Sequence, residues 1–412
     1  MENDFDFILI GNADSILINL PRPLKGSGFK ILVIGAPGMT LLKSRWIDSI
    51  IKISNNSQTE FLEELLSHSE FLFSLSGTFL WSSDSIMREF SKMEIPLNLK
   101  QHLLPVKNPK YFSMLGSKVG QFESLKDLQI QFPETFVLRN SNSTEAIKFD
   151  KKMIIKGDSH GGGAFIKTLD PGFMLDLESL AANWFPIVLQ EYVDGILIGI
   201  EAYYKNGKLL FWLYSKVESE ISTFGPSISR TYLFPSNLDF VPQLTRIGAA
   251  TEINGFANIS MVFDSQNQEH KIFEFDIRPN VWHHVFFDFK IPFGSIWREA
   301  EEFDTSLVFH VPKVVYEPSR LFLHYLSKWN LIGAIRVLRG LEIPTFGTGI
   351  SSSFYEPELR SKMIGKLFLF PIGPFRGNIL TILIIIKKII PDFMKRRVDQ
   401  SRIKSLILNI LS

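Results

Sequence analysis

The stretch MIIKGDSHGGGAFIK, residues 153–167, decides the fold of this chain. It opens on an apolar run that ends in Lys156, passes through a polar turn and three glycines, and returns in a second apolar run. Such short apolar runs are typical of buried strands. The stretch therefore predicts a β-hairpin whose first strand delivers a cation to a cleft.

The tip of this hairpin has the composition of a phosphate-binding loop. Gly161, Gly162 and Gly163 carry no Cβ, so their backbone N–H groups can approach phosphate oxygens closely and adopt positive φ. His160 precedes them in the same turn. A triple glycine alone is more often a flexible surface loop, so the assignment depends on the rest of the chain.

Composition excludes several classes of protein. A chain of 412 residues predicts two or three domains, because single cores stop growing at roughly 250 to 300 residues. The absence of cysteine excludes disulfides, thiolate metal sites and a cysteine nucleophile. A net charge of +1 gives no whole-molecule case for nucleic-acid binding, which would need a basic face. The acidic first residues lack the positive region of a secretory signal, which predicts a cytoplasmic protein.

The first hundred residues predict an α/β layer. Two apolar runs of β type, residues 5–10 and 29–34, are separated by a stretch of helical length. A proline-bearing connection follows at residues 103–109 and places the first boundary near residue 105. The predicted domains are residues 1–105, 106–300 and 301–412.

A lysine opens the helix that is predicted next. Within residues 116–138, Phe122, Leu125 and Leu128 recur on one helical face, which places Lys118 in the first turn. A single lysine at such a position is most often merely solvated.

A pair of strands follows the glycine loop. Residues 186–210 predict two strands joined by a short turn, with a further hairpin at the end. Gln190, Glu191, Tyr192 and Val193 lie between the two strands.

Two carboxylates share one face of the last predicted strand, FEFDIRPN. Glu274 and Asp276 are two positions apart, so they point to the same side. Two such charges are costly on an apolar strand unless something neutralises them. A hard cation such as Mg²⁺ would do so, and an ion pair with Arg278 would do so equally well.

These four segments, in this order, resemble the ATP-grasp superfamily of carboxylate ligases. MIIKGDSHGGGAFI looks like the corresponding stretch of biotin carboxylase and carbamoyl phosphate synthetase, with Lys156 on the strand lysine. The segment around Lys118 is similar to the first nucleotide lysine helix, LQEYVDG to the hinge, and FEFDIR to the metal strand. The resemblance covers roughly residues 84–285.

The resemblance implies an α/β (α+β) fold. It predicts an N-terminal α/β domain, an ATP-grasp domain of two small α+β subdomains, and a helical C-terminal region. The nucleotide contacts it implies are Lys118, Lys156, His160, Gly161, Gly162, Gly163, Gln190, Glu191, Tyr192 and Val193. Relatives usually carry an acidic ribose contact where this chain has Leu197, so Glu201 serves only if the strand register differs.

The resemblance also implies ATP and Mg²⁺, with the metal held by Glu274 and Asp276. The preceding strand offers only Asn258 or Ser260 where relatives commonly have a carboxylate. Arg278 is the implied catalytic cation. Lys216 and Arg230 are further catalytic candidates, for which solvated loop charges are the simpler explanation.

The implied function is an ATP-dependent ligase that activates a small-molecule carboxylate as an acyl phosphate for attack by an amine. The alternative is a nucleotide-binding protein without ligase activity, because acidic residues of the family pattern are missing. Residues 366–412 alternate apolar runs with basic clusters but fall short of the ~20 residues that a membrane span requires. They predict a packed helix or peripheral contact with an anionic membrane at its inner face.

Overall fold

A computed structural model gives the architecture of the chain. It describes residues 4–13, 16–140, 147–159, 165–175, 180, 184–308, 311–317, 320–321 and 324–325. In this part of the chain, no helix is long and apolar enough to cross a membrane. The basic tail, residues 366–412, lies outside the described residues, so peripheral membrane contact stays a prediction.

The chain opens on a four-stranded parallel sheet, which confirms the predicted α/β layer. Its strands are β1 (Phe7–Gly11), β2 (Ile31–Gly35), β3 (Ser49–Lys52) and β4 (Thr78–Trp81), in the order β3-β2-β1-β4. Every residue of β1, β2 and β4 is buried, as expected of a parallel sheet that is covered on both faces. The helices of this region are α1 (Pro21–Gly26), α2 (Gln58–Ser67), α3 (Ser69–Ser74), α4 (Asp84–Lys92) and α5 (Leu97–Leu103). Short 3-10 helices occupy Leu17–Asn19, Thr40–Lys43, Pro109–Met114, Lys126–Leu128 and Thr305–Val308.

A small antiparallel sheet follows helix α6 (Lys118–Leu125). Its strands are β5 (Thr135–Leu138), β7 (Met153–Gly157), β8 (Ile166–Leu169) and β10 (Ile187–Glu191), in the order β5-β10-β7-β8. Two shorter strands, β6 (Ile147–Lys148) and β9 (Met174–Leu175), pair with each other. The predicted hairpin is confirmed, because β7 pairs with β8 on either side of the glycine tip.

A six-stranded antiparallel sheet completes the described fold. Its strands are β11 (Ile196–Lys205), β12 (Lys208–Glu220), β13 (Ser227–Tyr232), β14 (Gly255–Asp264), β15 (Glu269–Asp276) and β16 (Lys313–Tyr316), in the order β15-β14-β11-β12-β13-β16. Three helices accompany it: α7 (Phe240–Thr251), α8 (Val285–Asp288) and α9 (Phe293–Glu299). Asn206 and Gly207 both adopt positive φ in the tight turn between β11 and β12, as the sequence predicts.

The parallel sheet and the six-stranded sheet share one hydrophobic core. Phe7 on β1 packs against Phe293 and Trp297 of α9, with ring centroids 6.1 and 5.7 Å apart. The small sheet has a separate core of its own, which includes Met153, Ile155 and Leu189. The small sheet therefore has a hydrophobic core that is separate from the one shared by the parallel sheet and the six-stranded sheet.

The connection near residue 105 is hydrogen-bonded to the chain around the end of α7. The N–H groups of Lys107 and Asn108 donate to the carbonyl of Thr251 at the end of α7, at 3.2 and 3.3 Å. The N–H of Asn254 donates to the Pro105 carbonyl at 2.8 Å. The domain boundaries near residues 105 and 300 stay predictions.

One strand lies in the region that the sequence pattern predicts to be helical. Strand β16 contains two adjacent valines, and β-branched side chains favour extended backbone. It pairs along the free edge of β13. The segment after residue 301 therefore contributes to the sheet before the predicted helices begin.

A buried histidine gives the fold a specific response to acid. His283 Nδ1 accepts the N–H of Asn280 at 2.8 Å and Nε2 donates to the Ala257 carbonyl at 3.2 Å, so the neutral ring satisfies both partners. Burial, with a smaller contribution from the nearby charges of Arg278 and Arg230, lowers the pKa of His283 to about 3. Below pH 6.5, the ordinary pKa of histidine, this residue therefore binds a proton in the unfolded chain but stays neutral in the folded chain.

We expect the free energy of unfolding to fall by up to about 1.4 kcal/mol per pH unit through this group as pH drops from 6.5 towards 3. Urea unfolding of the wild type and of His283→Gln between pH 4 and 8 measures it. The two stability curves should diverge below pH 6.5, with the steeper loss in the wild type. Parallel curves would show that His283 titrates alike in both states.

Candidate functional site

A cleft of about 350 Å³, counting the solvent at its mouth, lies between the small sheet and β15. Apolar and aromatic side chains form most of its wall, and a few polar groups from α6, β7, β10 and β15 point into it. The lining residues are Lys118, Gln121, Phe122, Leu125, Phe132, Thr135, Lys156, Val188, Gln190, Ile272, Phe273, Glu274 and Phe275. Such a wall with few convergent polar groups is typical of a small-molecule site.

Lys156 is the buried cation of the cleft. Its residue is 6 % exposed, and its ammonium donates to Gln190 Oε1 at 2.8 Å and lies 4.8 Å from the centre of the Phe273 ring. Gln190 in turn donates to Thr135 Oγ1 at 3.0 Å. Burial lowers the pKa of Lys156 to about 8; Glu274 opposes this and the charge of Lys118 adds to it. A bound anion in the cleft would raise the pKa of Lys156 back towards its ordinary value.

Lys118 stands at the start of α6, as the sequence predicts. Ser117 caps the helix by accepting the N–H of Gly120 at 2.9 Å. The Lys118 ammonium lies 3.3 Å from Glu274 Oε1. Burial disfavours its charge, but Glu274 and Asp276 outweigh burial and raise the pKa of Lys118.

Asp158 ties the root of the glycine loop to this helix. Its Oδ1 accepts the Ser117 hydroxyl and the Val119 N–H, both at 2.8 Å. A carboxylate at the N-terminus of a helix is favoured by the helix dipole. The loop that follows β7 therefore starts at a fixed place beside Lys118.

Glu274 and Asp276 lie on one face of β15, as predicted. Ser260 and Asn258 of β14 pair directly with them and, as neighbours in an antiparallel sheet, share that face. Between the two carboxylates, the Gln121 side chain donates to the Phe275 carbonyl at 2.7 Å and accepts its N–H at 3.1 Å. Gln121 thereby takes the place of a further strand at this sheet edge and sets the distance between α6 and β15.

Arg278 follows β15 and is held by two carboxylates. Its Nε donates to Asp84 Oδ2 at 2.6 Å and its Nη2 to Asp276 Oδ2 at 3.1 Å. Burial opposes the charge, but Asp276 and Asp84 outweigh it and raise the pKa of Arg278. Asp84 opens α4, so the N-terminal α/β region contributes directly to this site.

The pKa values of the two carboxylates of β15 are shifted in opposite directions. Burial raises the pKa of Asp276 to about 7 although Arg278 opposes it, with repulsion from Asp84 and Glu274 adding to the rise. Burial also disfavours the charge of Glu274, but Lys118 and Lys156 outweigh it and lower the pKa. The sequence leaves open whether Arg278 or a metal neutralises the carboxylates, and the structure contains the Arg278 ion pair.

The donor set suits a magnesium ion that arrives with phosphate. Within the described residues, no three His, Asp or Glu side chains converge as a complete metal site. Mg²⁺ often takes only one or two protein carboxylates and completes its shell with water and phosphate oxygens. Glu274 and Asp276 fit that requirement.

Gln190 and Glu191 are the last two residues of strand β10, and not part of the turn as the sequence predicts, whereas Tyr192 and Val193 lie in the connection to β11. Gln190 points into the cleft, whereas Glu191 pairs with Lys151, whose ammonium lies 3.4 Å from Glu191 Oε1. The Tyr192 N–H donates to the Lys152 carbonyl at 3.0 Å, and Val193 is half-buried beside it. His160, Gly161, Gly162 and Gly163 lie outside the described residues, so their nucleotide contacts stay predictions.

Glu201 does not line the cleft. It pairs with Asn258 in the β11–β14 register, is 0 % exposed, and its carboxylate accepts a hydrogen bond from Arg230. Burial raises the pKa of Glu201, against the charge of Arg230. We therefore remove Glu201 from the nucleotide contacts that the resemblance implies and assign it to Arg230.

Arg230 and Lys216 lie on strands rather than in solvated loops. Arg230 on β13 is 7 % exposed, and the face that carries Glu201 also carries it. Lys216 on β12 pairs with Ile198 and Thr231, which places it on the opposite face, away from Glu274. The structure brings Arg230, but not Lys216, to the face of the β15 carboxylates.

Sequence reasoning missed Asp84, Asp158 and Gln121. None belongs to a local motif, since each acts on a residue far along the chain. Thr135 was missed as well; it lies in the strand that the sequence predicts after Pro133, and the structure pairs it with Gln190.

Solved structures identify the architecture. The biotin carboxylase domain of Hydrogenobacter thermophilus 2-oxoglutarate carboxylase, solved with MgADP, ADP and bicarbonate, superposes with a TM-score of 0.52 at 12% identity, covering 75% of this chain and 74% of that one. N5-carboxyaminoimidazole ribonucleotide synthetase from Thermotoga maritima gives 0.51 at 15% identity, covering 75% and 79%. The chain has the ATP-grasp fold.

A third ATP-grasp structure has the same relation to this chain. Biotin carboxylase from Campylobacter jejuni, in its β-γ-ATP complex, gives a TM-score of 0.50 at 12% identity over 76% of this chain and 75% of that one. No protein-family model and no curated protein sequence matches the chain. The ATP-grasp assignment therefore rests on three-dimensional structure and on the four ordered motifs.

Proposed function

We propose that this ATP-grasp chain binds ATP and joins a small carboxylic acid to an amine, releasing ADP and phosphate. The observation that carries the proposal is the convergence of Lys118, Lys156, Glu274 and Arg278, which come from separate motifs. Lys118 pairs with Glu274, and Lys156 and Arg278 both act on the charge of Glu274. A decayed site would have little physical reason to keep two buried or half-buried lysines beside it.

The two lysines are the proposed phosphate contacts. Lys156 is poorly compensated in the cleft, because only neutral Gln190 accepts from its ammonium among the described residues. A phosphate oxygen would supply the missing negative charge, and charge-assisted hydrogen bonds are the strong ones. Lys118 can exchange its contact with Glu274 for a phosphate once a cation occupies the carboxylates.

Glu274 and Asp276 are the proposed magnesium ligands. Bound Mg²⁺ would neutralise phosphate charge and stabilise the charge that develops during phosphoryl transfer. One structure with this fold was solved with MgADP, which supports a role for Mg²⁺ with the nucleotide. Ser260 stands opposite Glu274 and offers a neutral oxygen to the same face, whereas the Asn258 side-chain oxygen accepts a hydrogen bond from Asn280.

The reaction needs no nucleophile from the protein. The acid's carboxylate oxygen attacks the γ-phosphorus of ATP, which gives an acyl phosphate and ADP, and the amine then displaces phosphate at the acyl carbon. Positioning and charge neutralisation supply the acceleration in such a scheme. Arg278 would steady the transferring phosphoryl group, while Arg230 lies on the same face of the sheet, paired with Glu201.

The products of turnover test the proposal. With the correct acid and amine, we expect ADP and inorganic phosphate in equal amounts, and hydroxylamine in place of the amine should trap a hydroxamate. Candidate acids and amines are screened by phosphate release, and products are resolved by anion-exchange chromatography. AMP and pyrophosphate would instead indicate adenylation and refute the acyl phosphate.

A further inference from the structure

A series of hydrogen bonds crosses the small sheet and ends at the ammonium of Lys156. Lys156 Nζ donates to Gln190 Oε1 at 2.8 Å, and Gln190 Nε2 donates to Thr135 Oγ1 at 3.0 Å. The Thr135 hydroxyl in turn donates to the Pro133 carbonyl at 2.6 Å. The three side chains come from the neighbouring strands β7, β10 and β5, so the series connects Lys156 to the edge strand of the small sheet.

Strand register places these three side chains on one face. Thr135 lies directly opposite Gln190 in the β5–β10 pairing. Gln190 lies opposite Ile154 in the β10–β7 pairing, so Lys156, two residues further along β7, is its diagonal neighbour on the same face. Long side chains reach such diagonal neighbours. Thr135, Gln190 and Lys156 accordingly all line the cleft.

The direction of each hydrogen bond follows from the groups that form it. A lysine ammonium can only donate, so Gln190 has to turn its amide oxygen towards Lys156. The amide nitrogen then faces Thr135, whose hydroxyl accepts from it and gives its own proton to the Pro133 carbonyl. The Thr135 hydroxyl therefore holds the Gln190 amide in the orientation that Lys156 requires.

The series holds the lysine without neutralising its charge. Gln190 and Thr135 are both neutral, whereas a carboxylate in the place of Gln190 would form an ion pair with Lys156. The Phe273 ring, from β15, lies 4.8 Å from the same ammonium. Lys156 is thus held by neutral contacts from two elements, and its positive charge stays available to a ligand.

We propose that Thr135 is a positioning residue for the nucleotide phosphates, because it orients Gln190 and Gln190 fixes the place of the Lys156 ammonium. This role rests on the proposed function and adds to it a residue that acts through Lys156. Two consequences follow from it. The effect of Thr135 is confined to ligands that carry phosphate, and it disappears when Lys156 has lost its charge.

Titration of the full chain with ADP and with adenosine, both in EDTA so that Mg²⁺ plays no part, tests the first consequence. Thr135→Val keeps the shape of the side chain and its preference for strands but removes the hydroxyl. We expect ADP to bind about threefold to tenfold more weakly, the effect of one hydrogen bond, and adenosine to bind as in the wild type. Thr135→Ser keeps the hydroxyl and should restore ADP affinity. An equal loss for ADP and adenosine would overturn the proposal.

A double-mutant cycle tests the second consequence. In the Lys156→Met variant, the further change Thr135→Val should leave ADP affinity as it is, because the group that Thr135 positions is gone. Losses that add up would show that Thr135 acts independently of Lys156 and would refute the positioning role.

Thr168→Val is the matched control. Thr168 is an exposed threonine on β8 of the same small sheet, and it does not line the cleft. This variant should bind ADP and adenosine as the wild type does. The wild type separates the two proposals: if it fails to bind ADP, the proposed nucleotide site is refuted, whereas additive losses in a wild type that binds ADP refute only the role of Thr135.

Discussion

Lys156→Ala is expected to weaken nucleotide binding by about 10-fold to 100-fold while the protein stays folded. The ammonium is the buried cation of the cleft, and a charged hydrogen bond to phosphate contributes about 1.5 to 3 kcal/mol. The affinity for MgADP and MgATP, measured by calorimetry, reports the loss. Unchanged affinity would remove Lys156 from the phosphate contacts.

Two companion variants separate charge from packing. Lys156→Met keeps an unbranched apolar side chain of similar length over Phe273 and removes only the charge, so it should lose as much affinity as Lys156→Ala. Lys167→Ala is the matched control on the neighbouring strand, since Lys167 pairs with Ile155 and therefore points to the face opposite Lys156. Its nucleotide affinity should equal that of the wild type.

The sequence predicts well those features that local patterns determine. Short apolar runs separated by glycine and polar turns predict the β7–β8 hairpin, and helical spacing places Lys118 in the first turn of α6. Alternation along a strand puts Glu274 and Asp276 on one face of β15. Each of these follows from the period of a single element, so no tertiary information is needed.

Contacts between distant segments could not be read in this way. Asp84 holds Arg278 across 194 positions, and Gln121 holds Phe275 across 154. Ordinary aspartate and glutamine residues carry no motif, and only the tertiary fold brings Asp84 to Arg278 and Gln121 to Phe275. The N-terminal α/β region, through Asp84, therefore contributes to the site, which its own sequence does not reveal.

Glu201 shows that sequence alone does not determine which face of the sheet a strand residue points to. The sequence shows an acid four positions beyond the expected ribose contact but cannot show which way a strand residue points. The pairing of Glu201 with Asn258 and Leu213 places it on the inner face, where Arg230 is its partner. Gly199, two positions earlier, supplied the local signal that was missed, because a strand glycine often marks a close approach by another group.

Glu274→Gln is expected to remove most of the gain in ADP affinity that Mg²⁺ provides, on the order of tenfold or more. Glutamine keeps the size of the side chain but loses the negative charge that a magnesium ion requires. The same change releases Lys118, whose ammonium lies 3.3 Å from Glu274 Oε1, so affinity for metal-free ADP should stay the same or rise. ADP titrations in the presence of Mg²⁺ and in the presence of EDTA measure the affinity with and without the metal.

The different effects on ADP affinity with and without Mg²⁺ distinguish a metal ligand from a residue that only supports the fold. A general loss of structure would lower the ADP affinity under both conditions. Glu269→Gln is the matched control, because Glu269 lies on the same strand and its side chain is also 31% exposed. It accepts from Gln131 Nε2 at 3.0 Å at the other end of β15, outside the cleft. A Mg²⁺ dependence that is equal in the wild type, Glu274→Gln and Glu269→Gln would place the metal elsewhere and leave Glu274 as the ion-pair partner of Lys118 alone.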